Sequence, residues 1–355
     1  MKKLFYSTLF LIVFGISAIA QKNGGMWIPT ELNEKEMKEL GLEISVSDIF
    51  NTTRPSIKDA IVQFGGGCTG EIISPRGLVL TNHHCGYGEI QAHSSVDNDL
   101  LSNGFWAKNN SEELPNPDLS VTFVVEIHNV SEQILAGTSG LSDEEQAKVI
   151  EKNIDSLRKN FPHKAYQNII VKPMYAGNKY YAFVTETYRD VRLVGAPPQS
   201  IGKFGSDTDN WVWPRHTGDF SLFRVYTDKD GNAADYSPNN VPLKAKRYLK
   251  VSLKGVQDKD FAMIMGYPGR TNRWESSYWV DQNVKYAYPA WVEASKTAMD
   301  AMKRYMDKDD AVRLQYASQY SSIANYWKNR QGMIDALTAH KTAATKRKTE
   351  AIFAK

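Results

Sequence analysis

Cys68 and Cys85 are the only cysteines of this 355-residue chain, and the segment between them reads as a closed unit. Ile72-Ile73 and Leu78-Val79-Leu80 are short β-prone apolar runs, with Ser74-Pro75-Arg76-Gly77 as a four-residue turn between them. The second run leads into Thr81-Asn82-His83-His84-Cys85. A bond from Cys68 to Cys85 would tie the end of this hairpin to its start and fix the backbone that presents His84. Such a bridge needs an oxidising compartment, and the N-terminus supplies one. Lys2-Lys3 is a positive n-region, Leu4 to Ile16 an apolar core, and Ala18-Ile19-Ala20 a small-residue cleavage site before Gln21. The apolar run is too short to span a bilayer, so residues 1–20 read as a cleaved signal peptide. Two cysteines 85 − 68 = 17 positions apart in an exported chain read as a bridge. The alternative is two buried, unpaired thiols.

Charge narrows the function classes. The formal net charge of +3 becomes 3 − 2 = +1 once Lys2 and Lys3 are removed, so nothing calls for a nucleic acid or an anionic surface. No second apolar run of spanning length follows, which argues against stable membrane insertion. The length favours two domains. From about Ile57 to Thr271 the pattern is short strands broken by turns, among them Ala60–Phe64, Val121–Ile127, Tyr180–Thr187, Asp219–Tyr226 and Phe261–Met265. One helix interrupts them, opened by the capping box Ser142-Asp143-Glu144-Glu145 and continued by Ala147, Ile150, Ile154 and Leu157. After about Tyr278 glycine nearly vanishes, Met299, Met302 and Met306 recur at helical intervals, and the segment reads as mainly helical to residue 355.

The second unusual stretch is Gly205-Ser206-Asp207-Thr208-Asp209-Asn210-Trp211-Val212-Trp213-Pro214-Arg215-His216-Thr217-Gly218-Asp219. Three Asp, a His, two Trp and an Arg in one loop are more than loop structure requires, so this is a candidate site. If His84 is a general base, it needs a carboxylate to hold its tautomer and stabilise the imidazolium. Asp219, after a flexible Gly218 and before the apolar run at Phe220, suits that role. Asp207 and Asp209 sit in a more polar stretch and read as turn or capping residues.

These motifs resemble the S46 peptidases, the bacterial dipeptidyl peptidases of types 7 and 11. The resemblance rests on Gly25-Met26-Trp27, Phe64-Gly65-Gly66-Gly67-Cys68-Thr69-Gly70, Thr81-Asn82-His83-His84-Cys85-Gly86-Tyr87-Gly88, Gly104-Phe105-Trp106, the run from Asp207 to Phe220, and Gly266-Tyr267-Pro268-Gly269. It spans essentially the whole mature chain. It implies a mainly β fold with an α-helical segment, namely an incomplete chymotrypsin-like double β-barrel at 21–277 and the start of an inserted, truncated α-helical domain at 278–355. It implies His84 as general base, Asp219 as its orienting carboxylate, and Asn210 and Trp211 at the substrate's free α-amino group. The implied activity is serine-type release of dipeptides from peptide N-termini, in the periplasm or outside the cell, with peptide substrates, no cofactor, no metal and a homodimeric assembly.

The resemblance also places the nucleophilic serine after the helical domain, beyond residue 355. Gly137-Thr138-Ser139-Gly140 is the only Gly-x-Ser-Gly here. It falls between His84 and Asp219, against the His, Asp, Ser order of this fold, and directly precedes a helix cap. The chain on its own is therefore expected to be inert, and the preference at the second substrate position to depend on residues outside it. Two other readings stand beside this one. A zinc hydrolase built on His83, His84 and His216 lacks the usual H-E-x-x-H or C-x-x-C spacing. A secreted binding protein that keeps a peptidase fold without activity would need no nucleophile. His83 reads as structural, because adjacent residues of a strand face apart.

Overall fold

The computed structural model describes residues 26–270, 272 and 274–355. The signal-peptide reading of residues 1–20, and Gly25, lie outside the described residues. The chain folds as a mixed α/β protein around one large antiparallel sheet with helices against it.

The hairpin expected between the cysteines is present. Strand β1 (Ile61–Phe64) turns into β2 (Cys68–Ile72), which pairs with β3 (Leu78–Thr81) in the register Glu71 to Leu80 and Ile72 to Val79. The Ser74 hydroxyl accepts the backbone N–H of Arg76 and of Leu78, both at 3.2 Å, and so closes the turn. Gly70 is required by proximity: a Cβ there would lie 2.8 Å from Val79 Cγ1. The remaining strands are β4 (Phe105–Trp106), β5 (Leu114–Pro115), β6 (Val121–Asn129), β7 (Gln167–Met174), β8 (Lys179–Tyr188), β9 (Val191–Ala196), β10 (Ser221–Thr227) and β11 (Val241–Pro242). The order across the sheet is β4-β9-β10-β3-β2-β1-β6-β8-β7, with β5 on β9 and β11 on β10. The pairing that matters most joins β10 to β3, Ser221 opposite Thr81 and Phe223 opposite Val79. It brings the residues just before β10 alongside those just after β3, although Thr81 and Ser221 are 221 − 81 = 140 positions apart in the chain.

Apolar residues on the inner faces of these strands make the main core. Val62, Phe64, Ile72, Val79, Val191, Leu193, Phe223 and Val225 are fully or almost fully buried in one cluster, and the Phe64 and Phe223 rings lie 4.8 Å apart. Each such side chain contributes roughly 1.5–3 kcal/mol on burial. Helix α1 (Tyr87–Ala92) follows the bridge and adds Tyr87 and Ile90 to this cluster. A smaller cluster at the β7–β8 end is covered by α2 (Ser131–Leu135) and α3 (Asp143–Asn160). The capping box expected at Ser142 opens α3: the hydroxyl and backbone N–H of Ser142 both reach Glu145 Oε2, at 2.7 and 3.0 Å. Between β9 and β10 the chain makes a short helix, α4 (Gln199–Gly202), before the Asp- and Trp-rich loop, which opens with a further helical turn at Ser206–Asp209.

The C-terminal residues are helical, as their pattern suggests: α5 (Ser277–Gln282), a π-helical turn at Asn283–Ala287, α6 (Tyr288–Met306), α7 (Asp310–Ala339) and α8 (Thr342–Phe353). Helix α7 does not stand apart from the sheet. Leu314 and Ala317 are buried in the same cluster as Val62 and Phe64. Arg313 pairs with Asp99 at 2.7 Å, and Gln91 of α1 accepts the Ser318 N–H at 2.7 Å.

Three details differ from the expectations. Phe261–Met265 is not a strand but irregular chain, with Ile264 exposed. Its β-prone composition is not enough, because no strand among the described residues is placed to pair with its backbone. Strand β10 begins at Ser221, so Asp219 precedes it by two residues. His84 lies in a turn after β3 that ends at Thr81, and not at the strand end itself.

Candidate functional site

The turn that follows β3 is fixed from both sides. Cys85 is bonded to Cys68, with Cα atoms 6.2 Å apart. The Ser221 hydroxyl donates to the Asn82 carbonyl at 2.8 Å. The turn therefore projects His84 outward, 66% of its side chain exposed, while His83 beside it is 1% exposed. The two histidines do face apart, but through a turn instead of strand alternation.

Asp219 meets His84 twice. His84 Nδ1 lies 2.7 Å from Asp219 Oδ2, and the His84 backbone N–H donates to Oδ1 at 3.0 Å. Asn82 Nδ2 adds a third donor at 3.3 Å to Oδ2. The arrangement selects the tautomer that carries its proton on Nδ1, which leaves the lone pair of Nε2 as the basic site. Burial acts to raise the Asp219 carboxyl, but the hydrogen bonds and charge of His84, with Arg215 behind them, outweigh it and hold the group below its usual range. An exposed imidazole backed by an ionised, oriented carboxylate can accept a proton from a hydroxyl or water and return it to a leaving group.

The loop between α4 and β10 is clasped by α7. Asn210 Nδ2 donates to Asn325 Oδ1 at 2.9 Å, and Trp211 Nε1 donates to the same oxygen at 3.0 Å and to the Asn325 carbonyl at 3.2 Å. Arg215 Nη1 reaches Asn210 Oδ1 at 3.3 Å and its Nε reaches Thr217 Oγ1 at 2.8 Å. Lys203 reaches Ser321 Oγ at 3.2 Å, and Lys328 bonds the carbonyls of Asp207 and Thr208. Trp211 adopts a positive φ of 60°, a conformation bulky side chains rarely take, with its ring largely exposed. Trp213 is exposed and holds no part of the core. Asn82, Asn325 and Arg215 carried no role in the sequence. Asn325 could not have, since it lies in helix α7, 115 positions after Asn210 and outside any motif.

On the other side of Asp219 opens a cavity of about 850 Å³, lined by Trp27, Thr69, Asn82, Asp219, Phe220 and Phe261–Pro268 among others. Tyr267 N–H donates to Thr69 Oγ1 at 2.8 Å and holds that segment in place. The site's imidazole and the Asn210–Trp211 pair do not line this cavity.

No serine among the described residues is hydrogen-bonded to the His84 ring, whose partner is Asp219. Ser221 is fully buried with its hydroxyl committed to Asn82. Ser139 is exposed in the link between α2 and α3, which cover the β7–β8 end of the sheet. The one group of potential metal ligands among the described residues is Cys68, His84 and Cys85, and its two sulfurs are tied to each other in the disulfide. His216 is exposed and outside it.

Comparison with known proteins places this geometry. The profile of the family described as Peptidase S46 matches residues 22–355. A protein from Capnocytophaga gingivalis named dipeptidyl-peptidase 7 is 56% identical over 358 residues, covering 100% of this chain and 50% of its own length. A second protein of that organism, named Asp/Glu-specific dipeptidyl-peptidase, is 52% identical, covering 99% of this chain and 50% of its own length. Among solved structures, Porphyromonas endodontalis DPP11 in complex with the dipeptide Arg-Glu superimposes with a TM-score of 0.85 at 40% identity, covering 93% of this chain and 49% of that one. The chain thus spans about half the length of the relatives it matches. With a match along nearly all of its described length, the chain belongs to the S46 family of peptidases.

Proposed function

We propose that this chain carries the base, the orienting carboxylate and the amine-recognition loop of a serine-type dipeptidyl aminopeptidase. The single observation behind this reading is the two-point grip of Asp219 on His84, through Nδ1 at 2.7 Å and the backbone N–H at 3.0 Å. In it His84 is the general base and later the general acid, and Asp219 holds its tautomer and stabilises the imidazolium. In this reading the nucleophilic serine and the oxyanion donors are supplied from outside the described residues. The names of those relatives and the dipeptide in the solved neighbour support a substrate that gives up two residues from its N-terminus.

The loop at Asn210 and Trp211 supplies the amine end. Asn325 cross-links both side chains, so the three present a fixed set of amide oxygens beside the exposed face of Trp211. A cationic α-amine held there would fix how many residues reach His84. A blocked terminus would leave the acceptors unpaired and be rejected. The sheet is read as the first barrel of a chymotrypsin-like pair, supported by the approach of β8 to β10 across the sheet. The irregular segment with exposed Val251, Leu253, Val256 and Ile264 is read as the beginning of the second barrel. Export with cleavage after Ala20 to the periplasm or beyond, the division at residue 277, and a homodimer belong to the same reading. No helix among the described residues is long and apolar enough to cross a membrane.

The test uses the full-length gene product and a fluorogenic dipeptidyl substrate. His84→Ala should abolish turnover while the protein stays folded. N-acetylation of the substrate should abolish it in the wild type. Activity that survives both changes sinks the proposal.

A further inference from the structure

His83 takes no part in the reading above, yet it is the most deeply buried titratable side chain near the site. Its ring lies flat against Gly202, the last residue of α4: a Cβ at that position would fall 2.4 Å from ring Cγ and Cδ2 and 2.7 Å from Nε2. Tyr87 of α1 meets the ring edge-on, centroids 5.7 Å apart. The ring's Nε2 has no partner among the described residues. The pocket therefore favours the neutral ring. A second proton would place a buried N–H against the Gly202 backbone with no acceptor.

The contact point is where the functional loop begins and ends. The chain leaves α4 at Gly202 and runs through Asn210 and Trp211. It then returns beside the same turn, where the Gly218 N–H donates to the Ile201 carbonyl at 3.0 Å. Asp219 follows directly. Gly218 is also closely packed, since a Cβ on it would lie 2.8 Å from Ile201 Cγ2. The ring that touches this junction is the immediate neighbour of His84.

We infer that His83 is a positioning residue: its ring, wedged between Tyr87 and Gly202, seats the loop of residues 202–219 on the turn that presents His84. It thereby sets Asn210, Trp211 and Asp219 at once relative to the base. The inference rests on the function proposed above. The groups that face the ring are Asp219 before β10, His84 on its own turn, Lys203 after α4 and Tyr87 on α1. Burial lowers the affinity of His83 for a proton, the charge of Asp219 raises it, and His84 and Lys203 lower it again, leaving the group below its ordinary value. Neutral at pH 7, the ring should charge and unseat the loop only in acid.

The experiment compares His83→Ala, His83→Asn and Gly202→Ala in the full-length protein, with thermal melts to confirm folding. His83→Ala and Gly202→Ala should each lower kcat/KM on the free-amine substrate by on the order of 10²-fold, the effect of an ångström-scale misplacement, with a rise in KM. His83→Asn keeps a neutral polar side chain at the position and cannot be charged. It should recover part of the lost kcat/KM and remove one ionisation from the acid limb of its pH profile. His83→Ala or Gly202→Ala at wild-type kcat/KM, or His83→Asn no better than His83→Ala, overturns the inference. In that case a dead His84→Ala shows that the proposed function stands without it, whereas an active His84→Ala removes both.

Discussion

A carboxylate with three donors around it, one of them the ring it orients, is a strongly determined feature. Asp219 depends on His84 for its ionisation, and His84 depends on Asp219 for its tautomer and rotamer. Asp219→Asn should keep the geometry but favour the wrong tautomer, and kcat of the full-length enzyme should fall by about 10⁴-fold. Stability carries the same signature. The folded pKa of Asp219 lies below its unfolded value of about 3.9. Its stabilisation is therefore complete above that pH and is lost as the pH falls through the folded value. Melts of the wild type and Asp219→Asn against pH should differ most above about pH 4 and converge in stronger acid. A gap that widens on acidification contradicts the assignment.

The disulfide acts on a whole element. It closes the β2–β3 hairpin and the His84 turn in one loop of sequence separation 17, and such a closure contributes roughly 3 kcal/mol. Replacing both cysteines by Ala should lower stability by about that amount in denaturant titrations. Alkylation of the denatured, unreduced wild type should find no thiol; two labelled cysteines would refute the bridge. The hairpin, its turn and the α3 capping box were all legible in the sequence, because each depends on residues within a few positions of one another. The Phe261–Met265 strand was misread because a strand exists only with a partner, and composition does not supply one.

At the scale of the molecule, helix α7 joins the C-terminal helices to the sheet. It buries Leu314 and Ala317 in the sheet's own core, pairs Arg313 with Asp99 and holds the Asn210–Trp211 loop through Asn325. The Asp- and Trp-rich loop is thus stabilised by an element more than a hundred positions away. Asn325→Ala should leave the melting temperature nearly unchanged, yet raise hydrogen exchange at residues 203–217 and raise KM for free-amine substrates in the full-length enzyme. Unaltered exchange in the loop would show that the clasp does not depend on Asn325.

The sequence alone determined the local units: which residues pair in the hairpin, where α3 starts, that the C-terminal segment is helical, and that His84 and Asp219 sit in two unusual motifs. Each follows from short-range sterics, capping or spacing, so it is readable from neighbours. The tertiary structure alone decided that Asp219 meets both the ring and the backbone of His84, that His83 is buried while His84 is not, and that Asn325 completes the loop. These depend on the β3–β10 register and on the docking of α7, where the partners lie some 115 to 135 positions apart. Contacts at that range are chosen by how the whole core packs, and no local pattern in the chain records them.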